Sequence, residues 1–364
     1  MKHQHLIPCI AFPAIFAVSA MAQDPVLATP GTATLSTQTT ATGSTTVFTL
    51  TGDTVFDWAH LNLAQGSELV FNFLAGESVI NVLGGNGVHR INGNVTSNGI
   101  VAFFAPGGDL EVNGRITARG VVLGTTNVDP ADFFDGNGYS LSNASGLNFL
   151  TVNGDVTALG GDVVLAGPQV VVGQSAKIRA TGRAGIAGSS EIAVSAGSGG
   201  LLRENGGSGF VLNLGEARAA RIDVVAGNEV NNQGVLNAGN GRVFLEVGSG
   251  GVITNETNGI IIGNLAFQGL FREKGAILTP NEGDALPVVS EGTLTMPALR
   301  RPDGTQVSAS QTVRTNSAVS ASGDGGRDSR NVGRPSTAES SRRSLMQRTS
   351  FFGMRGGDAK AEKR

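Results

Sequence analysis

The side chains of this chain that could do chemistry are few. The best acidic cluster is DPADFFDGNG, where Asp129, Asp132 and Asp135 fall within seven residues. Glycoside hydrolysis needs a general acid and a second carboxylate flanking the scissile bond, and a lyase needs Ca²⁺ with a basic residue beside it. Either would require carboxylates aligned on one outer face, and the repeated phrases of the sequence carry none. His60 and His89 have no ligand partners at metal-like spacing, and His60 sits in a strand-like phrase that reads as structural. Cys9 is the sole cysteine, and no G-x-S-x-G elbow or P-loop is present. Trp58 and Tyr139 are each the only residue of their type, a poor supply of sugar-stacking platforms. The expectation is therefore no catalytic, metal or cofactor site, with Asp129–Asp135 an acidic loop outside the main body. The alternative is a periplasmic or extracellular carbohydrate-active lyase or hydrolase working through Asp132 and Asp135.

The elements that must position these residues show themselves by repetition. Ile91-Asn92-Gly93-Asn94-Val95-Thr96 returns 21 residues later as Val112-Asn113-Gly114-Arg115-Ile116-Thr117. It returns again, 40 residues further on, as Val152-Asn153-Gly154-Asp155-Val156-Thr157. A period of about 20 residues built from short apolar strands and Asn-Gly turns marks a solenoid. Ile192/Val194, Ile222/Val224 and Val243/Leu245 share a second template, with apolar residues at period two pointing inward and Glu191, Asp223, Arg242 and Glu246 in the outward phase. Glycine is expected at corners for positive φ, and asparagine because it tolerates the left-handed region. No long segment has helical periodicity. The fold class is all-β, a parallel β-helix with its core over about 45–278, or about ten coils and roughly 50 Å of rod at ~4.8 Å per coil.

Composition agrees. The chain has 364 residues, 54 of them glycine, with 15% charged and 5% aromatic residues, so its core must rest mainly on small aliphatic side chains. Residues 301–364 hold twelve basic and six acidic residues against a whole-chain net charge of −3, which makes the body acidic and the tail basic. Lys2, the apolar run Leu6 to Val18 and Ala20-Met21-Ala22 read as a signal peptide over 1–22, which would remove Cys9. Residues 23–280 form the solenoid domain. Residues 281–364, rich in Ser, Gly and Arg, are expected to be a disordered tail, with Arg342, Arg343 and Arg348 reading as a solvated linker. No other stretch is apolar enough for a membrane helix, so the mature protein is expected outside the cytoplasm and not integral to a membrane, with no nucleic-acid partner.

Four phrases in order resemble the N-terminal secretion domain of filamentous-haemagglutinin-like exoproteins, the cargo of two-partner secretion. Phe56-Asp57-Trp58-Ala59-His60-Leu61-Asn62-Leu63 is similar to the family's opening phrase, and Arg90 to Phe103 resembles its R-I-x-G-x-L-x-A-N-G-x-V segment. Asp132-Phe133 through Ser142 is similar to its D-F-x-x-G-x-Y-x-F-S excursion, and Asn153 to Val170 resembles its N-x-G-x-I-x-A-x-G-G-x-V run. One phrase departs. Where the family has N-P-N-G-[IV], this chain has Ala105-Pro106-Gly107-Gly108-Asp109-Leu110. The resemblance implies a right-handed β-helix exported by an outer-membrane transporter barrel with POTRA domains. It nominates Phe56, Asp57, Asn98, Gly99, Pro106, Gly107 and Gly108 as transporter-recognition residues. It also implies a secreted or cell-surface protein of a Gram-negative-type bacterium, with an adhesive role toward surface or host glycans or proteins.

Overall fold

Short apolar runs separated by tight corners leave each strand only one way to satisfy its backbone, by pairing with the same segment one coil away. The structure, a computed structural model, describes residues 26–27, 33–39, 43–74, 77–143, 147–195, 202–280, 299–300 and 306–307. It is a β-solenoid of about ten turns, built from three parallel ladders. The first ladder begins with Ser44–Leu50, Glu68–Phe73, Asn94–Ser97, Arg115–Ala118 and Asp155–Ala158. It runs on through Lys177–Ala180 and Glu216–Arg218 to Ala276–Pro280. The second includes Thr54–Trp58, Ser78–Leu83, Ile100–Phe104, Gly120–Gly124, Val163–Gly167, Arg183–Gly188 and Arg221–Ala226. The third runs from Asn62–Leu63 and Val88–Ile91 through Asp109–Val112, Phe149–Val152 and Gln169–Val172 to Leu270–Glu273.

Register stacks like on like. Val95, Ile116, Val156, Ile178, Ala217, Leu236 and Ile261 make one buried inward column of the first ladder. Val79, Val101, Val121, Val163, Ala184, Ile222 and Val243 make another in the second. The first coils depart from the small-aliphatic expectation. Phe48, Phe56, Phe71, Phe103 and Trp58 pack together there, with the Phe48 and Phe71 rings stacked at 5.6 Å. The inward Asn81 is satisfied among these rings, accepting from Trp58 Nε1 at 2.9 Å and donating to the Ala102 carbonyl at 3.0 Å.

The repeated Asn-Gly phrase is the corner between the third and first ladders, and its glycines are there for a different reason than the sequence suggested. None of Gly93, Gly114 and Gly154 has positive φ, and no described non-glycine residue has it either. A Cβ on Gly114 would lie 1.9 Å from the Gly93 carbonyl oxygen, and one on Gly154 would lie 1.8 Å from that of Gly114. Glycine is required because successive corners nest too closely for a side chain. The asparagines bond across coils, with Asn113 Nδ2 donating to Asn92 Oδ1 at 2.8 Å and Asn153 Nδ2 to Asn113 Oδ1 at 2.9 Å. A second amide column runs inside the solenoid. Asn213 donates to Asn232, and Asn232 to Asn255, each at 2.7 Å, in the row that holds Val112, Val152 and Val172 in earlier coils.

The ends and one flank are closed by antiparallel strands. Ala33–Thr39 pairs with Ser44–Leu50, and Val26–Leu27 with Thr54–Trp58, covering the N-terminal edges of two ladders that would otherwise invite pairing with other chains. At the other end Leu299–Arg300 pairs with the end of Ala276–Pro280, and Gln306–Val307 pairs with it in turn. The expected signal peptide, and the tail apart from these two strands, lie outside the described residues. On the flank, Asn127–Val128, Gly138–Ser142, Glu191–Ser195 and Leu202–Glu204 form a four-stranded antiparallel sheet. Its Leu141, Ile192, Val194 and Leu202 pack on the outward Val122, Val164, Ala166, Ala187 and Val225 of the second ladder. Ile192 and Val194 thus belong to this outer sheet and not to the coil template that predicted them inward. Asp223 and Glu246 do face outward, but they are buried. Both excursions that feed the sheet leave between the second and third ladders, which explains the 40-residue gap in the repeat.

Asn232 both accepts and donates inside the core. Asn232→Ala strands the Asn213 amide and the Asn255 carbonyl, and should cost about 2–5 kcal/mol. A urea midpoint unchanged from wild type would show that the internal amide column does not hold these coils together.

Candidate transporter-recognition site

The seven residues nominated from the sequence fall in three separate places. Phe56 is a core residue with its ring 4.8 Å from that of Phe48, so the folded protein does not present it. Asp57 beside it is exposed, and its backbone pairs with Val26 of the capping strand. Asn98 and Gly99 form the corner before Ile100–Phe104, while Pro106, Gly107 and Gly108 form the corner after it, roughly 20 Å along the coil. The structure does not bring the seven into one patch.

Each corner has its own physical account. The Asn98 side chain imitates a strand, with Nδ2 donating to the Phe73 carbonyl and Oδ1 accepting from the Phe73 N–H, both at 2.8 Å. Gly99 is buried, and a Cβ there would sit 2.3 Å from the Glu77 carbonyl oxygen and 2.5 Å from the Phe73 ring. Ala105-Pro106-Gly107-Gly108 closes a β-turn, with the Gly108 N–H donating to the Ala105 carbonyl at 3.3 Å. A Cβ on Gly108 would lie 2.2 Å from the Gly87 carbonyl oxygen, so the glycine again serves close approach. The Pro106 carbonyl accepts from Asn148 Nδ2 at 3.0 Å and from Asn143 Nδ2 at 3.5 Å. Two asparagines from the excursion therefore tie down the turn from which the family's own asparagines are missing. Sequence reasoning passed over both. The same device recurs where Asp53, Asp109 and Asp162 accept the backbone N–H of Ser78, Phe149 and Arg183 in a neighbouring coil, at 2.8, 2.8 and 2.7 Å. Its one sequence signal is a lone Asn or Asp at or just before the start of a strand.

The acidic cluster is occupied with local structure. Asp129 caps a short helix, Pro130–Phe134, by accepting from the Ala131 N–H at 2.9 Å, and Asp135 accepts from the Asn137 N–H at 2.7 Å. Phe133 anchors the helix against Phe104 and Tyr139, at 6.2 and 4.9 Å between rings. On the outer face of the first ladder, one in-register row reads Arg115, Asp155, Lys177, Glu216. Its charges alternate in sign, with Arg115 3.7 Å from Asp155, so that row is not a line of carboxylates. Among the described residues no three His, Cys, Asp or Glu side chains are grouped to hold a metal ion, and no helix is long and apolar enough to cross a membrane.

His89 lies in an inward position paired with Leu110 and is fully buried, whereas His60 is exposed, with the two rings 5.1 Å apart. His89 Nδ1 accepts from the Leu61 N–H at 3.2 Å. Burial, and secondly the neighbouring His60, push its pKa below the ordinary imidazole value. The unfolded chain therefore binds a proton on this residue at a higher pH than the folded one. Its contribution to stability is fully present above the ordinary value of 6.5 and declines as the pH falls below it. Urea midpoints should drop between pH 7.5 and pH 5, and the drop should shrink in His89→Gln. An equal drop in the variant would assign the effect to other groups.

No family model matches the sequence, and no curated protein matches it. Solved structures that resemble the fold include two secretion domains. The secretion domain of HMW1 from Haemophilus influenzae superposes with a TM-score of 0.52 at 18% identity, covering 72% of this chain and 77% of that one. The filamentous haemagglutinin secretion domain gives a TM-score of 0.43 at 13% identity over 71% of this chain and 100% of that one, too loose a fit to carry an argument. At such identities likeness speaks to architecture alone: the chain has the β-solenoid fold of the HMW1 secretion domain.

Proposed function

We propose that this chain is the exported partner of a two-partner secretion pair, and that its N-terminal coils carry the signal read by an outer-membrane transporter. The observation that carries the reading is the shared fold with the HMW1 secretion domain over 72% of the chain. The four phrases between Phe56 and Val170 support it, since they stand in the family's order. In this reading residues 1–22 direct the chain to the periplasm. The POTRA domains of the transporter engage it there before it folds, which is when Phe56 is accessible. Docking as an added strand on a POTRA sheet suits an extended chain. Passage through the barrel is then followed by folding outside, coil on coil. Asp57, Asn98 and the Pro106–Gly108 turn remain at the surface or near it as the folded-state part of the signal. The finished rod, about ten coils and roughly 50 Å long, would offer its faces to glycans or proteins of a cell surface.

In the native host, an antibody should find the protein in the medium or on the cell surface, and deletion of the partner transporter should trap it in the periplasm. Protein that stays periplasmic in both strains would sink the proposal. Within it, Phe56→Ser should reduce export more than Asp57→Asn. Equal export of Phe56→Ser and wild type would remove Phe56 from the signal.

A further inference from the structure

Asn-Gly pairs are a chemical liability, because glycine lets its backbone nitrogen reach the preceding side chain. The glycine N attacks the asparagine Cγ, a new C–N bond forms, and the C–NH₂ bond breaks. Ammonia leaves with the glycine proton. Water then opens the cyclic imide at either carbonyl, leaving aspartate or isoaspartate. The reaction needs a side chain free to rotate and an N–H free of acceptors.

Nine such pairs lie in the described residues, and in six of them an acceptor holds the glycine N–H. Gly93, Gly114 and Gly154 donate to the carbonyls of Leu63, Ile91 and Val112 at 3.2, 2.8 and 3.0 Å, and their asparagines are locked in the exposed amide column. Gly99 donates to Ser97 Oγ at 3.0 Å while Asn98 is held by the Phe73 backbone. Gly206 donates to Glu204 Oε1 at 2.6 Å and Gly259 to the Glu256 carbonyl at 2.7 Å. Gly138 opens a strand, with the preceding Asn137 Nδ2 donating to Asp135 Oδ2 at 3.3 Å, and Gly241 lies within one. Asn86-Gly87 differs. Both residues are exposed in a bend, and among the described residues neither the Asn86 amide nor the Gly87 N–H has a hydrogen-bond partner.

We infer that Asn86 is a site of spontaneous deamidation in the folded protein, and that the stacked asparagines keep their amides. A Cβ on Gly107 would lie 3.1 Å from Asn86 Oδ1, so conversion places a new negative charge beside a corner nominated for recognition. The chemistry itself does not depend on the export proposal.

The test is peptide mapping by mass spectrometry of folded protein held in warm, mildly alkaline buffer. The Asn86 peptide should convert progressively from amide to acid, while those carrying Asn92, Asn113 and Asn153 stay unchanged. The same protein in urea should convert at these sites as well. Gly87→Ala has open space around the new methyl and a φ that permits it, so the variant should fold with wild-type stability and lose the Asn86 conversion. Asn86 intact in the folded protein while it converts in urea would overturn the inference, as would Asn92, Asn113 or Asn153 converting as fast as Asn86 in the folded state.

Discussion

Everything in this molecule rests on the in-register parallel pairing of each coil with the next. Coil spacing fixes how close consecutive corners come, and three corners per turn must fit within ~4.8 Å of rise. Glycine columns, amide columns and alternating charge rows all answer that requirement. They occupy positions where each residue's neighbour is its own counterpart one turn away. A lone coil cannot offset the entropy of ordering its backbone with the few aliphatic side chains it buries, so cooperation between coils is the source of stability.

Side-chain amides and carboxylates do much of the joining. Asn98, Asp53, Asp109 and Asp162 each extend a ladder where the main chain turns away, satisfying backbone groups that would otherwise be lost at the corner. The internal column from Asn213 to Asn255 places hydrogen bonds where earlier coils have valine. The aromatic cluster around Phe48, Phe71 and Phe103 fills the interior at the N-terminal end with rings, beneath the antiparallel cap.

Much of this was legible in the sequence because the repeat is local. The period, the strand class, the inward phase of Val95, Ile116 and Val156, and the place of Asp129–Asp135 outside the coils all follow from patterns a few residues long, although that segment folds as a short helix and not as the expected loop. Whatever depends on contact between distant segments was not legible. The period-two run at Ile192 looks the same whether it lines a core or covers the outside of one, and only its antiparallel pairing with Gly138–Ser142 decides. Glycine at the Asn-Gly corners was identified, but positive φ was the wrong cause, since a sequence does not show the carbonyl of the coil below. Of the candidate site, the turn at Pro106 was found, whereas no local pattern connects it to the asparagines that hold it, 37 and 42 residues on.

The excursions between the second and third ladders have a consequence for how such a chain can change. Both leave from the same edge and are absorbed into one small sheet lying on top of a completed wall, so their length is uncoupled from the coil rise. Descendants of this sequence can gain or lose whole peptides at that edge while the stack keeps its count. The rod thus carries one seam that already absorbs whole peptides, which also tells an engineer where a foreign epitope can ride.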